Sequence, residues 1–162
     1  MRNSMENPKV HYYNEGLDFA NLGLYSDAVT SFDKAIFARP DCAEAWRKRG
    51  SALISLDRYS DALASFDKAI AINPEYANTW NNRGVALGHL GRHSEAVVSF
   101  DKAIALSPGY ANAWNNRGNA YARLGQRDYA VASFNRALDI DPGYTVAKQN
   151  RATALKGKPG PA

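Results

Sequence analysis

His89 and His93 stand four residues apart, the spacing at which two imidazoles on one helix share a zinc ion. Leu90 and Gly91 lie between them, and a glycine there reads as the end of a helix, so the rings are expected on different faces. The third histidine, His11, is remote in sequence, and no cysteine cluster completes a ligand set, so no metal is expected. Nucleophilic chemistry fares no better. Cys42 is the only cysteine and has no adjacent histidine, and no serine sits in a Gly-x-Ser-x-Gly turn. The glycines occur singly rather than in a phosphate-cradling loop, and the paired acids Asp139 and Asp141 flank a helix end and read as solvated. The chain is expected to be no enzyme and to need no cofactor.

What recurs is of another kind. Arginines fall at Arg49, Arg83, Arg117 and Arg151, tryptophans at Trp46, Trp80 and Trp114, and asparagines crowd residues 78–82 and 112–119. Aromatic rings interleaved with guanidinium groups are the means by which single-stranded nucleic acid is stacked and held. The formal charge of +4 is modest but graded. Residues 9–42 carry three basic and five acidic groups, whereas 145–162 carries Lys148, Arg151, Lys156 and Lys158 and no acid. Such a basic end attracts acidic partners, or nucleic acid more weakly, and is equally what a solvated terminus looks like.

The elements that position these residues follow from a repeat. Trp46, Trp80 and Trp114 are 34 residues apart, and Gly16, Gly50, Gly84 and Gly118 keep the same step. So do Ala28, Ala62, Ala96 and Ala130, then Phe32, Phe66, Phe100 and Phe134. Ala35, Ala69, Ala103 and Ala137 and finally Pro40, Pro74, Pro108 and Pro142 complete the register. Four units result, 9–42, 43–76, 77–110 and 111–144, followed by a shortened piece at 145–156 that caps the array. Residues 1–8 and 157–162 lack apolar periodicity and are expected to be disordered.

Each unit reads as two helices. In 43–76, Trp46, Gly50 and Leu53 share one helical face, Asp57-Arg58-Tyr59 interrupts, and Ser60 is placed to cap a second helix. That helix aligns Ala62, Phe66, Ala69 and Ile70 and stops at Pro74. Gly50 and Ala62 let the two helices approach while Phe66 fills the space beside them. Neither helix pair covers its own apolar stripe, so neighbours must stack. Val146, Ala147, Ala152 and Leu155 are expected to cover the last unit, with Lys148, Gln149 and Arg151 in water. The tryptophans then belong to packing, and nucleic acid is not the expected partner.

Trp46-x2-Arg49-Gly50-x2-Leu53, followed by Ala62-x3-Phe66 and Pro74, resembles the tetratricopeptide repeat family, as do the three sister copies over about residues 9–155. The resemblance implies an all-α fold of helix-turn-helix repeats stacked into a right-handed superhelix, with a concave groove that holds a partner. It departs at the residue before the glycine, usually apolar and here Glu15, Arg49, Arg83 and Arg117, and at Tyr12, which replaces tryptophan. Asp33, Asp67 and Asp101 recur at the same period, so the pairs Asp33–Arg49, Asp67–Arg83 and Asp101–Arg117 are expected between consecutive units, with Asn135 opposite Arg151.

At 100° per residue, Asn78, Asn81, Asn82, Val85 and His89 form a stripe about 150° from Trp80, Gly84 and Leu87. The resemblance places that stripe on the groove, and its amides are similar to the asparagine ladder of O-linked N-acetylglucosamine transferases. The clamp of co-chaperones for acidic tails matches less well, because positions 47, 51, 82, 112 and 116 read Arg47, Ser51, Asn82, Asn112 and Asn116. The expected contacts to an extended peptide or partner protein are Asn82, Asn116 and Asn150, flanked by Asn78, Asn112, Asn119, Asn81 and Asn115. Arg47, Lys48 and Arg123 bias the groove toward acidic side chains. Two other readings stand beside this scaffold: a regulatory or substrate-presenting segment of a larger enzyme, and a self-assembling repeat protein; the chain is expected to be a monomer or to associate weakly end to end. No run of about 18 apolar residues predicts a membrane span, and no apolar secretory stretch opens the chain, so a cytoplasmic location is expected.

Overall fold

The computed structural model describes residues 8–156, with side chains from Val10 onward. All the regular structure among them is helical: α1 (Pro8–Asn21), α2 (Tyr25–Ala38), α3 (Ala43–Ser55), α4 (Tyr59–Ile72), α5 (Ala77–His89), α6 (His93–Leu106), α7 (Ala111–Arg123), α8 (Arg127–Ile140) and α9 (Thr145–Lys156). The segments expected to be disordered, 1–8 and 157–162, lie outside the described residues except for Pro8. That proline opens α1, where its missing N–H has no intrahelical partner to lose. The chain divides into two compact units, Met1–Glu75 and Tyr76–Ala162. In the first, α1 packs on α2, α3 on α4, and α2 against α3. In the second, α5 packs on α6, α7 on α8, α6 against α7, and α8 against α9.

The turn inside each helix pair uses one device four times. At Gly23, Asp57, Gly91 and Gly125 the backbone enters the left-handed region, with φ of 76°, 56°, 75° and 73°. The N–H of each donates three residues back, and the next N–H donates five back, as in Gly91 to Gly88 O and Arg92 to Leu87 O. Aspartate tolerates this conformation better than most side-chained residues, and Asp57 Oδ1 also accepts a bond from the Tyr59 hydroxyl. Only Asp57 separates Leu56, which closes α3, from Arg58, which opens α4, and this leaves Ser60 inside α4 rather than at its cap. Arg58 occupies the cap position without a side-chain cap bond. An acid in the first turn serves the helix end instead: Arg58 binds Asp61 and Arg92 binds Glu95, each at 2.6 Å. The Arg92 hydrogen bond holds the Glu95 carboxyl below its ordinary pKa. At the other end, Asn73 is extended, with φ −143° and ψ 103°, as the residue before Pro74 must be.

Between the paired helices the ring of Phe32, Phe66, Phe100 or Phe134 lies against the glycine of its partner helix. A Cβ on Gly16, Gly50, Gly84 or Gly118 would stand 2.6, 2.7, 2.5 or 2.5 Å from that ring. These phenylalanines are at most 3% exposed.

Successive pairs join through the inter-repeat loop. Trp46 Nε1 donates to Pro40 O at 2.8 Å, and Trp114 Nε1 to Pro108 O at 2.9 Å. In the first unit, Tyr12, Tyr13, Cys42 and Trp46 close over Ala35, Ile36 and Ala45. Arg49 reaches two helices: its Nε donates to Asp33 at 2.6 Å and its Nη1 to the buried Ser65 at 2.7 Å. In the second unit Arg83 binds Ser99 at 2.7 Å, and Arg117 Nε lies 3.2 Å from Asp101 Oδ1 at an angle that makes an ion pair without a hydrogen bond. Asp67 belongs to the first unit and Arg83 to the second. At the last joint Arg151 donates to the neutral Asn135 at 3.1 Å. The guanidinium groups also cover tryptophan faces, at 6.0 Å for Arg49 on Trp46 and 4.9 Å for Arg117 on Trp114. With Asp33 half exposed, such a pair contributes about 1 kcal/mol or less, so it fixes register more than stability.

α9 corrects one expectation. Ala147 is buried, but Val146 and Leu155 are 50% and 45% exposed, and Ala152 is exposed as well. Arg151, expected in water, is half-buried on Asn135. The flank of α9 that packs is the one carrying Ala147, Asn150 and Arg151. The stripe of Ala152 and Leu155 corresponds to Gly50 and Leu53, which face a second helix of their own pair, and α9 has none among the described residues.

The glycines give a paired test. Gly84→Ala should lower stability by about 1–3 kcal/mol despite alanine's better helix propensity, because the ring must shift. Gly88→Ala, one turn along α5 with nothing within 4 Å of its added Cβ, should raise stability by up to about 1 kcal/mol. Urea melts of the two variants read both signs.

Candidate functional site

The first helices of the pairs in the second unit are α5 and α7, and α9 continues their series; α5 lies against α7 and α7 against α9. Each presents a stripe at positions i, i+4, i+7 and i+11. On α5 it is Asn78, Asn82, Val85 and His89, on α7 Asn112, Asn116, Asn119 and Arg123, and on α9 Val146, Asn150 and Thr153. Asn78, Asn112, Asn119 and Arg123 are exposed, and Asn82, Asn116 and Asn150 are half-buried.

Asn81 and Asn115 are not on this surface. They are 5% and 3% exposed. Asn116 Nδ2 donates to Asn81 Oδ1, and Asn150 Nδ2 to Asn115 Oδ1, both at 3.0 Å. The physical reason is the width of the buried arc. α5 packs on α6 across one face and on α7 across its flank, so Thr79, Asn81, Gly84, Ala86 and Leu87 are all buried. A single apolar stripe underestimates that arc, and Asn81 falls at its edge. The amides therefore pair between repeats before they meet anything else. The chain of bonds continues outward from Asn81 to Asn82 at 3.2 Å, from Asn82 to Asn78 at 3.3 Å, and from Asn78 to the Tyr110 hydroxyl at 3.2 Å. Each amide has two donor hydrogens and a two-lone-pair acceptor, so the outer members keep bonding capacity. Asn112 and Asn119 make no hydrogen bond among the described residues.

In the first unit, Arg47 and Lys48 are half-buried on α3, and Arg47 is tied to Glu44 one turn away. In the second unit a cavity of about 230 Å³ opens beside the amide stripes, walled by Gly84, Gly88, His89, His93, Asn119 and Arg123 among others. The two histidines sit on different helices, as Gly91 requires, yet the turn between them brings both to this cavity. Among the described residues no three His, Cys, Asp or Glu side chains gather as a metal site. The sequence reading missed the cavity and the serines Ser65 and Ser99, which accept from Arg49 and Arg83, with Ser31 instead donating to Glu15 Oε2 at 2.7 Å. Ser31, Ser65, Ser99 and Ser133 recur at the repeat period and are all buried, a signal that was available.

Models of the tetratricopeptide repeat match residues 13–77, 65–98 and 111–144, and a TPR repeat model matches 89–125. Among solved structures, one of MamA is 31% identical, with 84% of this chain and 80% of that one covered and a TM-score of 0.80. YrrB, described as a TPR protein with an unusual peptide-binding site, is 25% identical over 90% of this chain and 75% of its own, with a TM-score of 0.83. The first TPR of Spaghetti (RPAP3), solved with the HSP90 peptide SRMEEVD, shares the fold at 22% identity, covering 70% of this chain and 90% of its own with a TM-score of 0.69. No curated protein matches by sequence.

The amide pairing between repeats has a measurable consequence. Asn116→Ala strips the buried Asn81 Oδ1 of its donor and should cost about 1–3 kcal/mol of stability. A double-mutant cycle with Asn81→Ala, followed by urea unfolding, should show the two losses to be strongly non-additive; simple additivity would mean the bond carries no weight.

Proposed function

The chain belongs to the tetratricopeptide repeat family, and we propose that it is a protein-interaction scaffold whose amide face holds an extended peptide segment of a partner protein. The observation that carries this reading is the set of parallel stripes on α5, α7 and α9. Asparagine is a poor helix former, and bonds within the fold account for Asn78, Asn81, Asn115, Asn116 and Asn150 but not for the exposed Asn112 and Asn119. A row of exposed amides offers donors and acceptors to a peptide backbone whatever its side chains, which suits a segment recognised first by its main chain. YrrB, with its peptide-binding site, supports a partner of this kind. Binding falls to Asn78, Asn112 and Asn119 with the outer edges of Asn82, Asn116 and Asn150, and Arg123 favours acidic segments. Among the described residues no helix is long and apolar enough to cross a membrane, and a cytoplasmic setting fits the reading.

The partner is found by pull-down with the purified chain, and its segment by peptide array. Asn78→Ala with Asn112→Ala should then weaken the segment about 5- to 150-fold, the weight of two neutral hydrogen bonds at 0.5–1.5 kcal/mol each. Both side chains are exposed, so the melting temperature should fall by no more than about 2–4 °C, the weight of the exposed bonds of Asn78 to Asn82 and Tyr110. Unchanged calorimetric affinity in the folded double variant would remove the amide face as the site.

A further inference from the structure

The cavity beside the amide stripes is built from departures from the repeat. Gly88 stands where the equivalent residues are Ala20, Ile54 and Ala122. His93 stands where they are Tyr25, Tyr59 and Arg127, and Arg123 where they are Asn21, Ser55 and His89. Packing asks for none of these. A Cβ on Gly88 would meet nothing within 4 Å, so the glycine serves the hollow rather than a helix contact. His89, Asn119 and Arg123 are exposed at the rim, and His93 is half-buried.

The chemistry of the wall is one-sided. It carries a guanidinium, two imidazoles and the amides of Asn116 and Asn119, and no carboxylate. Arg123 makes no hydrogen bond or ion pair among the described residues. The acid in the first turn of α6, Glu95, is already held by Arg92 at 2.6 Å. A guanidinium of this kind binds a carboxylate by two parallel charge-assisted bonds. At about 230 Å³, the cavity is smaller than the roughly 300 Å³ at which small-molecule sites begin. It has room for one side chain and a few waters of about 30 Å³ each.

We propose that this cavity is a specificity pocket that takes one aspartate or glutamate side chain of the bound segment. Arg123 holds the carboxylate, and His93 and Asn119 supply further donors. The inference rests on the peptide-binding reading above. It adds the reason for a preference: Asn112, Asn116 and Asn119 run along one stripe of α7 that ends in Arg123, so a backbone laid on the amides brings a side chain to the guanidinium.

The test uses the full chain and terminally blocked peptides of alternating serine and alanine, in which one central residue is glutamate, glutamine, lysine or phosphoserine. Fluorescence anisotropy should show the glutamate peptide binding about tenfold tighter than its glutamine counterpart, the weight of one charge-assisted hydrogen bond. That ratio should fall to about one in Arg123→Gln, and also in Gly88→Leu, which fills the hollow without touching the charge. Asn78→Ala with Asn112→Ala should instead weaken the glutamate and glutamine peptides alike. Equal binding of the two in the unmodified chain, a ratio that survives Arg123→Gln, or a preference for phosphoserine alone overturns the pocket and leaves the amide-face reading standing. Failure of every peptide to bind overturns both.

Discussion

Where each phenylalanine ring meets the glycine of its partner helix, a single methyl group would collide at 2.5–2.7 Å. That approach sets the distance and the rotation of the two helices in every pair. Once they are set, the remaining faces of the first helix have no freedom. One flank must meet the next pair, and the opposite edge must look outward. Because the glycine–phenylalanine contact returns every 34 residues without an insertion, the outward edge returns as well. Within each unit, the outward side chains of successive pairs are thereby held in register by a contact that they do not touch, as expected of an array whose repeats see only their neighbours.

The polar residues at the joints answer to the same geometry. A charged residue just before the glycine is an unusual neighbour for a core. Here its stem packs while its head finds Asp33 on one side and Ser65 on the other at Arg49. Asparagine does the equivalent work on the inner flank, where Asn116 and Asn150 each reach back to an amide of the preceding repeat. Both devices place a buried or half-buried polar atom in a position that only the correct neighbour satisfies. A slipped repeat would leave those atoms without partners, at a cost comparable to losing a core contact. Apolar faces of alanine and leucine discriminate register far less sharply, so specificity of stacking rests on the polar pairs and its strength on the rings.

Most of the fold was legible because the repeat is nearly perfect. Six recurring residues placed the helices, and the proline before each new pair marked its boundary. The arginine–aspartate pairs at Asp33–Arg49 and Asp101–Arg117 were legible for the same reason. What escaped was local. Ser60 looks like a cap because serine is a good one, whereas a single left-handed residue, Asp57, completes the turn and puts the helix start two residues earlier, at Arg58. Asn81 and Asn115 were assigned to the surface because a helical wheel with one apolar stripe assumes one packing partner, and these helices have more. The outer edge of α9 was misjudged because a helix in the first position of a pair turns its glycine-side stripe toward a second helix, and among the described residues none follows α9.

The cavity escaped for a deeper reason. Periodicity is read by agreement among copies, and agreement is largely what packing demands: the glycine, phenylalanine, serine and two alanines that recur in all four copies are all buried. A residue that recognises something outside the chain is under no such demand, and in a repeat it shows as disagreement. Gly88, His93 and Arg123 stand at positions where the four copies disagree, and none of them could be weighed until the fold brought them to one hollow. The exposed amides lie between these extremes: Asn78 and Asn112 share a position, Asn119 stands where Val85 does, and the side chains of Asn112 and Asn119 make no hydrogen bond among the described residues. On the proposed reading, the amides that the fold does not employ are met by the backbone of the bound segment. The irregular hollow beside that surface then reads as the place where one side chain is told from another.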